Sequence, residues 1–226
     1  MAEFTIYVGN KNYSSWSLRP WLALRHAGVA FEEVIVPLDQ TDSKANLRRR
    51  SPSGRVPVLQ HGALTIWESL AICEYLAERF PAARLWPEDR DARAHARAVS
   101  NEMHAGFAAL RDNLPMDICR RWPLGSRLAK AGPDVERVTA IWRECRARFG
   151  SRSANGSGEF LFGNFTIADA MFAPVTTRFV TYAVPLDPVC SAYVAAMQRW
   201  PALQDWTAAA KAEPWVINDD VNAGAA

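Results

Sequence analysis

Ser51-Pro52-Ser53-Gly54-Arg55-Val56-Pro57-Val58-Leu59-Gln60-His61-Gly62, followed by Leu64-Thr65-Ile66-Trp67-Glu68-Ser69-Leu70-Ala71-Ile72, is the stretch whose reading decides the fold. Pro52 and Gly54 mark a turn, because proline fixes φ and glycine accepts φ > 0. Val56–Leu59 is a short apolar run, and His61-Gly62 reads as a hairpin turn into Leu64–Ile66. A proline in such a run belongs at a strand start or a sheet edge, since it donates nothing to the ladder. With Val56–Pro57 in the cis form, the edge at Val56 turns its N–H and C=O outward, free to pair with an extended peptide. Glu68 and Ser69 then open an amphipathic helix that ends near Arg79-Phe80-Pro81. Its N-terminus offers unpaired N–H groups and the positive end of a dipole to a carboxylate. A backbone edge beside a carboxylate site describes a pocket for a small acidic peptide.

Working outward, composition narrows the class. A chain of 226 residues with 49% apolar and 22% charged content suits one large or two small domains with a sizeable core. A net charge of +2 gives no electrostatic case for nucleic acid or an anionic membrane. Arg48-Arg49-Arg50 reads as a solvated basic face. Cys73, Cys119, Cys145 and Cys190 are widely spaced and form no Cys-x-x-Cys pair, so they read as reduced thiols and neither as a disulfide framework nor as a zinc site. No apolar run approaches ~18 residues and no signal pattern opens the chain, which predicts a soluble, cytoplasmic protein.

In chain order, Phe4–Val8 reads as a strand. Ser14-Ser15-Trp16-Ser17-Leu18-Arg19 opens a helix running to Arg25, with Ser14 or Ser15 as its N-cap and Gly28 as its stop. Phe31–Val36 is a second strand, and Asp39–Leu47 a polar loop with at most a helical turn. Pro81–Pro87 reads as a linker. Beyond it the pattern is helical: Asp91–Leu114 as one long helix stopped by Pro115, irregular chain to Gly132 arching over the cleft, and a helix from Pro133, at N1, to Phe149. A Gly/Ser/Asn loop spans Ser151–Gly158. Thr166 and Asp169 begin the next helix, through Tyr182, with a capping-box-like start. Helices over Ala192–Arg199 and Pro201–Lys211 and a loose tail at Asn218–Ala226 complete the chain.

Val56-Pro57, Glu68-Ser69 and Leu70-Ala71-Ile72-x-x-Tyr75-Leu76 resemble the glutathione-binding half of the cytosolic glutathione transferases. The element order matches the thioredoxin-like layout, and Thr166-x-Ala168-Asp169 resembles the buried capping motif of their C-terminal domains. Ser14-Ser15-x-Ser17-x-Arg19 resembles the serine-type enzymes, most closely the zeta class, although Trp16 stands where that class has a cysteine. The resemblance implies a thioredoxin-like α/β domain over residues 1–82, a linker over 83–90, and an all-α domain over 91–226. It implies glutathione as cosubstrate, no metal, and a homodimer.

The same resemblance assigns roles. Ser14 or Ser15 holds the glutathione sulfur as a thiolate, with Tyr13 as the competing hydroxyl. Val56 pairs the peptide backbone, with Pro57 beside it in the glutathione site, Glu68 takes the γ-glutamyl ammonium, Ser69 takes its carboxylate, and Gln60 and Arg55 face the glycyl end. Trp16, His104, Phe107, Arg111 and Arg178 line the electrophile side; Ser100, His104, Phe107 and Arg111 share one helical face by spacing. A free thiol has a pKa of about 8.5, and lowering it by about 2 units needs roughly 2.7 kcal/mol, within reach of one hydroxyl and a helix dipole. Three functions fit: a transferase acting on an electrophile, a glutathione-dependent isomerase of a diacid anchored by Arg19, Arg111 and Arg178, and a non-catalytic partner-binding protein.

Overall fold

In the computed structural model, which describes residues 3–38, 40, 43–151 and 158–217, apolar alternation sets the first layer. β1 (Phe4–Val8) buries Phe4, Ile6 and Val8 on one face, the period of two that a half-buried strand requires. It pairs in parallel with β2 (Phe31–Ile35) and antiparallel with β3 (Val58–His61), which pairs antiparallel with β4 (Leu64–Trp67). The sheet order is β2-β1-β3-β4. The hairpin turn falls at Gly62-Ala63, where Gly62 supplies φ 57. β3 is an interior strand and begins one residue after Pro57, so the expected edge at Val56 is instead the loop entering an inner strand.

α1 (Ser15–His26) crosses between β1 and β2, and Gly28 ends the turn behind it at φ 67. α2 (Ser43–Arg50) is longer than the expected single turn: Leu47 is its buried anchor, and the three arginines continue it. α3 (Ser69–Arg79) follows β4, with a single 3-10 turn at Pro81–Ala83 behind it. The remainder is helical: α4 (Arg90–Ala105), α5 (Ala108–Asn113), α6 (Arg127–Phe149), α7 (Ile167–Thr181), α8 (Pro188–Arg199) and α9 (Pro201–Ala212). α7 is buried nearly throughout and packs on α1 and α4, which joins the two domains along one seam.

Several sequence expectations change here. The predicted helix over 91–114 breaks after Ala105: Gly106 is extended and Phe107 sits at φ 61, left-handed. Asp134 of α6 accepts the Leu110 N–H at 2.8 Å, so a tertiary contact supplies the start of α5. α6 begins at Arg127, six residues before Pro133, so the proline lies inside the helix instead of at N1, where it leaves the carbonyl one turn back without its helical donor. α8 begins at Pro188, where Asp187 accepts from the N–H groups of Val189 and Cys190, a cap the apolar periodicity did not reveal. Ser14 occupies the N-cap position of α1 without capping it. The irregular stretch after Pro115, expected to arch over the cleft, contributes no residue to the lining of the cavity that includes Trp16 and Ser69. It is tied down by Asp117, whose carboxylate accepts from Asn12 at 3.0 Å and from Trp122 at 3.0 Å. Asp39, most of the Ser151–Gly158 loop and the Asn218–Ala226 tail lie outside the described residues.

Candidate active site

The turn Ser51–Pro57 is ordered from within. The Ser51 and Ser53 hydroxyls are 2.9 Å apart, Ser51 Oγ accepts the Arg55 N–H at 3.4 Å, Gly54 takes φ 64, and Val56–Pro57 is cis. Immediately across from it, Glu68 holds φ 70 and ψ 126 at the head of α3 and makes no side-chain cap. The leading N–H groups of α3 are therefore left for something other than their own helix. Ser69 is fully buried, and its hydroxyl has no partner among the described residues.

These two segments and α1 form one side of a cavity of about 300 Å³, lined by Trp16, Ser53, Arg55, Val56, Pro57, Glu68 and Ser69; the helical domain closes the other with His104 and Arg111. His104 Nε2 lies 3.7 Å from Glu68 Oε2 across the gap, and its ring meets Trp16 edge-on at 5.2 Å. Burial, then Arg19, holds His104 below the usual histidine range, against the pull of Glu68. Arg111 reaches back over the helix break to the carbonyls of Met103 at 2.5 Å and His104 at 3.1 Å, acceptors that the interrupted helix leaves free.

Trp16 is flanked by two guanidiniums, Arg19 at 4.3 Å and Arg111 at 4.8 Å from the ring centre. Burial, and then Arg111 and Arg178, hold Arg19 well below the usual range; burial, then Arg111, pushes Arg178 down to about 10. Neither Arg19 nor Arg178 is among the lining residues of the cavity.

The hydroxyls at the start of α1 differ in their engagement. Ser14 Oγ donates to Ser17 Oγ at 2.7 Å, which also accepts the Gly9 N–H. Tyr13 accepts from Arg120 at 3.0 Å. Ser15 is buried, and its hydroxyl bonds to no described residue. The loop before them is fixed from a distance: the Glu213 carboxylate accepts the Lys11 N–H at 2.9 and 3.0 Å, and Asn12 Oδ1 accepts the Cys119 N–H at 2.9 Å.

Of the residues singled out from the sequence, Trp16, Arg55, Val56, Pro57, Glu68, Ser69, His104 and Arg111 meet at one cavity. Gln60 does not: its side chain accepts from Tyr7 at 2.9 Å on the sheet. Phe107 is in the core, because the break after Ala105 rotates it off the face it was assigned to. Ser14 and Ser15 are not in the lining. Ser53 is, and the turn motif already held it. Among the described residues no three His, Cys, Asp or Glu side chains cluster to hold a metal ion.

Comparison with known proteins places this geometry. Residues 13–79 match the glutathione S-transferase N-terminal domain family and residues 91–209 the C-terminal domain family. The probable maleylacetoacetate isomerase of Caenorhabditis elegans is 31% identical over 186 residues, 81% of this chain and 82% of that protein. The crystal structure of a glutathione transferase homolog from Burkholderia GL BGR1, with bound glutathione, superposes with TM-score 0.68 at 26% identity, over 93% of this chain and 99% of its own. The holo structure of maleyl pyruvate isomerase, a bacterial zeta-class enzyme, shares the fold with TM-score 0.70 at 24% identity, over 94% of this chain and all of its own. With matched domains covering both halves, the chain belongs to the glutathione S-transferase family.

Proposed function

We propose that the protein is a glutathione transferase that binds glutathione between the Ser53–Pro57 turn and the head of α3, and activates its thiol for attack on a small electrophile. The observation that carries this reading is Ser69: a fully buried hydroxyl without a partner, at uncapped helical N–H groups, facing a cavity. A buried polar group left unpaired is unfavourable, and a ligand carboxylate is what its surroundings suit. Val56 then pairs the peptide backbone, Glu68 the γ-glutamyl ammonium, and Arg55 the glycyl carboxylate. A serine at the start of α1 donates to the sulfur. Ser15 has its proton unengaged, whereas Ser14 must release Ser17 to do so. The electrophile binds against Trp16, His104 and Arg111. Dimerisation and a cytoplasmic location belong to the same proposal.

The test is glutathione titration by calorimetry with ultraviolet difference absorbance at the thiolate band. Wild-type protein is expected to bind glutathione and ionise it at neutral pH. Ser14→Ala and Ser15→Ala are measured alongside; the variant that raises the bound thiol pKa identifies the donor. If neither does, the serine role is wrong and Tyr13 takes its place.

A second reading is favoured by the cationic surroundings of Trp16 and by the name of the nematode relative. In it the thiolate adds to a cis double bond of a maleylacetoacetate-like diacid, the resulting single bond rotates, and elimination returns the thiolate. Arg111 in the cavity wall would hold a carboxylate. A screen that turns over unsaturated diacids and no alkyl or aryl electrophile selects it.

A further inference from the structure

Trp16 is half-buried, and the two guanidiniums against its ring differ in what they can reach. Arg111 lines the cavity, held there by its bonds to the carbonyls of Met103 and His104. Arg19 does not: it is 1% exposed, and its Nε and Nη1 meet no acceptor among the described residues. Arg178 is sealed in the same way on α7, which packs on α1, and its charge bears on Arg19. A guanidinium does not escape burial by losing its proton, so each of these charges would gain from a carboxylate. What Arg19 meets instead is the ring of Trp16, and that same ring forms part of the cavity wall. The indole compensates part of the buried charge and at the same time covers it. Of the other charged groups in the lining, Arg55 belongs to the Ser51–Pro57 turn, Glu68 is a carboxylate, and His104 is held towards its neutral form.

We infer that Trp16 sets the substrate class of this site: by lying over Arg19 it withholds the cation a second carboxylate needs, so the cavity takes a neutral or singly charged electrophile and excludes a dicarboxylate. This rests on the glutathione reading above, and it decides between the two readings given there. A dianion bound beside Arg111 leaves its other carboxylate desolvated and unpaired, which a site shielded from water penalises. With the indole removed, that carboxylate meets a guanidinium already lacking an acceptor, a pairing favourable on both sides. Selectivity then comes from exclusion of the wrong substrate more than from a contact added for the right one.

Diethyl maleate, monoethyl maleate and maleate test it, since they share one double bond and differ in charge. In each, the thiolate adds to one alkene carbon, the C–S bond forms, the π electrons move to the neighbouring carbon, and water protonates it. Each rate is divided by the rate with glutathione alone, which removes the difference in intrinsic reactivity. Wild-type protein is expected to accelerate the diester and the monoester and to accelerate maleate about tenfold less, and Trp16→Ala to recover that factor for maleate relative to the diester, the range of one hydrogen bond to a charged group. Arg19→Met added to Trp16→Ala is expected to abolish the recovery; the ratio cancels any loss that both substrates share. A wild type that accelerates maleate as well as the diester, a ratio unmoved by Trp16→Ala, or a recovery that survives Arg19→Met each overturns the inference. Should Trp16→Ala fail to fold, Trp16→Leu carries the same sign with a smaller gain, and failure of both to fold also overturns it. Wild-type protein that binds no glutathione, or accelerates none of the three, removes the underlying reading and this inference with it. Wild-type protein that conjugates the diester, with a maleate ratio indifferent to Trp16, removes this inference alone.

Discussion

Glu68 and Ser69 sit side by side with opposite problems. Glu68 holds a positive φ that a residue with a Cβ seldom adopts, and Ser69 buries a hydroxyl without a partner. Neither arrangement helps the empty protein. Replacing Ser69 by alanine is therefore expected to leave the melting temperature unchanged or slightly raised, while weakening glutathione binding about tenfold, ~1.4 kcal/mol, the range of one hydrogen bond to a charged group. Calorimetric titration and a thermal melt on the same sample check both halves; a lower melting temperature would show that Ser69 serves the fold. These residues were legible in the sequence because their partners are their neighbours: turn, strand and helix head follow one another within 51–72. Gln60 and Arg19 were not. Gln60 alternates along its strand to a face where Tyr7 takes its side chain. The burial of Arg19 depends on α7 arriving from 150 residues away, a distance no local pattern spans.

At the scale of elements, legibility followed the locality of the signal. The start of α7 was readable because Asp169 reaches back only to Thr166, accepting from its N–H at 2.8 Å and its hydroxyl at 3.0 Å. It also accepts the Leu161 N–H at 3.0 Å, which pins the preceding segment. Burial nevertheless outweighs these donors and pushes Asp169 up to about 6. The folded state thus holds this proton more tightly than the unfolded chain. Its contribution to stability is full below the unfolded pKa of about 4 and is lost as pH rises through 6. Denaturant unfolding at intervals from pH 4 to 7 is expected to show a downward slope in wild type that Asp169→Asn lacks; parallel profiles would refute the assignment. The break between α4 and α5 was hidden for the opposite reason. Gly106 alone does not stop a helix, and the contact that starts α5 comes from Asp134 on another element. That break turns Phe107 inward and brings Arg111 back over Met103 and His104, so the cavity wall owes its make-up to an interruption the helical periodicity concealed.

For the whole molecule, α1 is the shared member. It packs on β1 and α3 within the first domain and on α7 and α9 of the second. Trp21, 3% exposed, stacks edge-on against Trp206 at 5.2 Å. Lys11 lies over both rings and pairs with Glu33 at 2.6 Å. Cutting the chain at the linker would strip these surfaces bare. A fragment of residues 1–88 is expected to remain unfolded or aggregate, and the full chain to melt in one calorimetric transition; a soluble fragment with a cooperative melt would contradict this. The two-domain layout was legible from the change of pattern near Pro81, but their mutual dependence was not, because it resides in contacts between chain segments far apart.

The clamp of Glu213 on the Lys11 N–H has a consequence for the making of the protein. The two residues are separated by 202 positions. A ribosome adding about 5–20 residues per second takes roughly 10–40 s to cover that distance. Throughout that interval the loop ahead of Ser14 exists without the carboxylate that fixes it. Ser14 and Ser15 are thus made long before the loop ahead of them can be fixed, and that fixing waits for Glu213 to leave the ribosome.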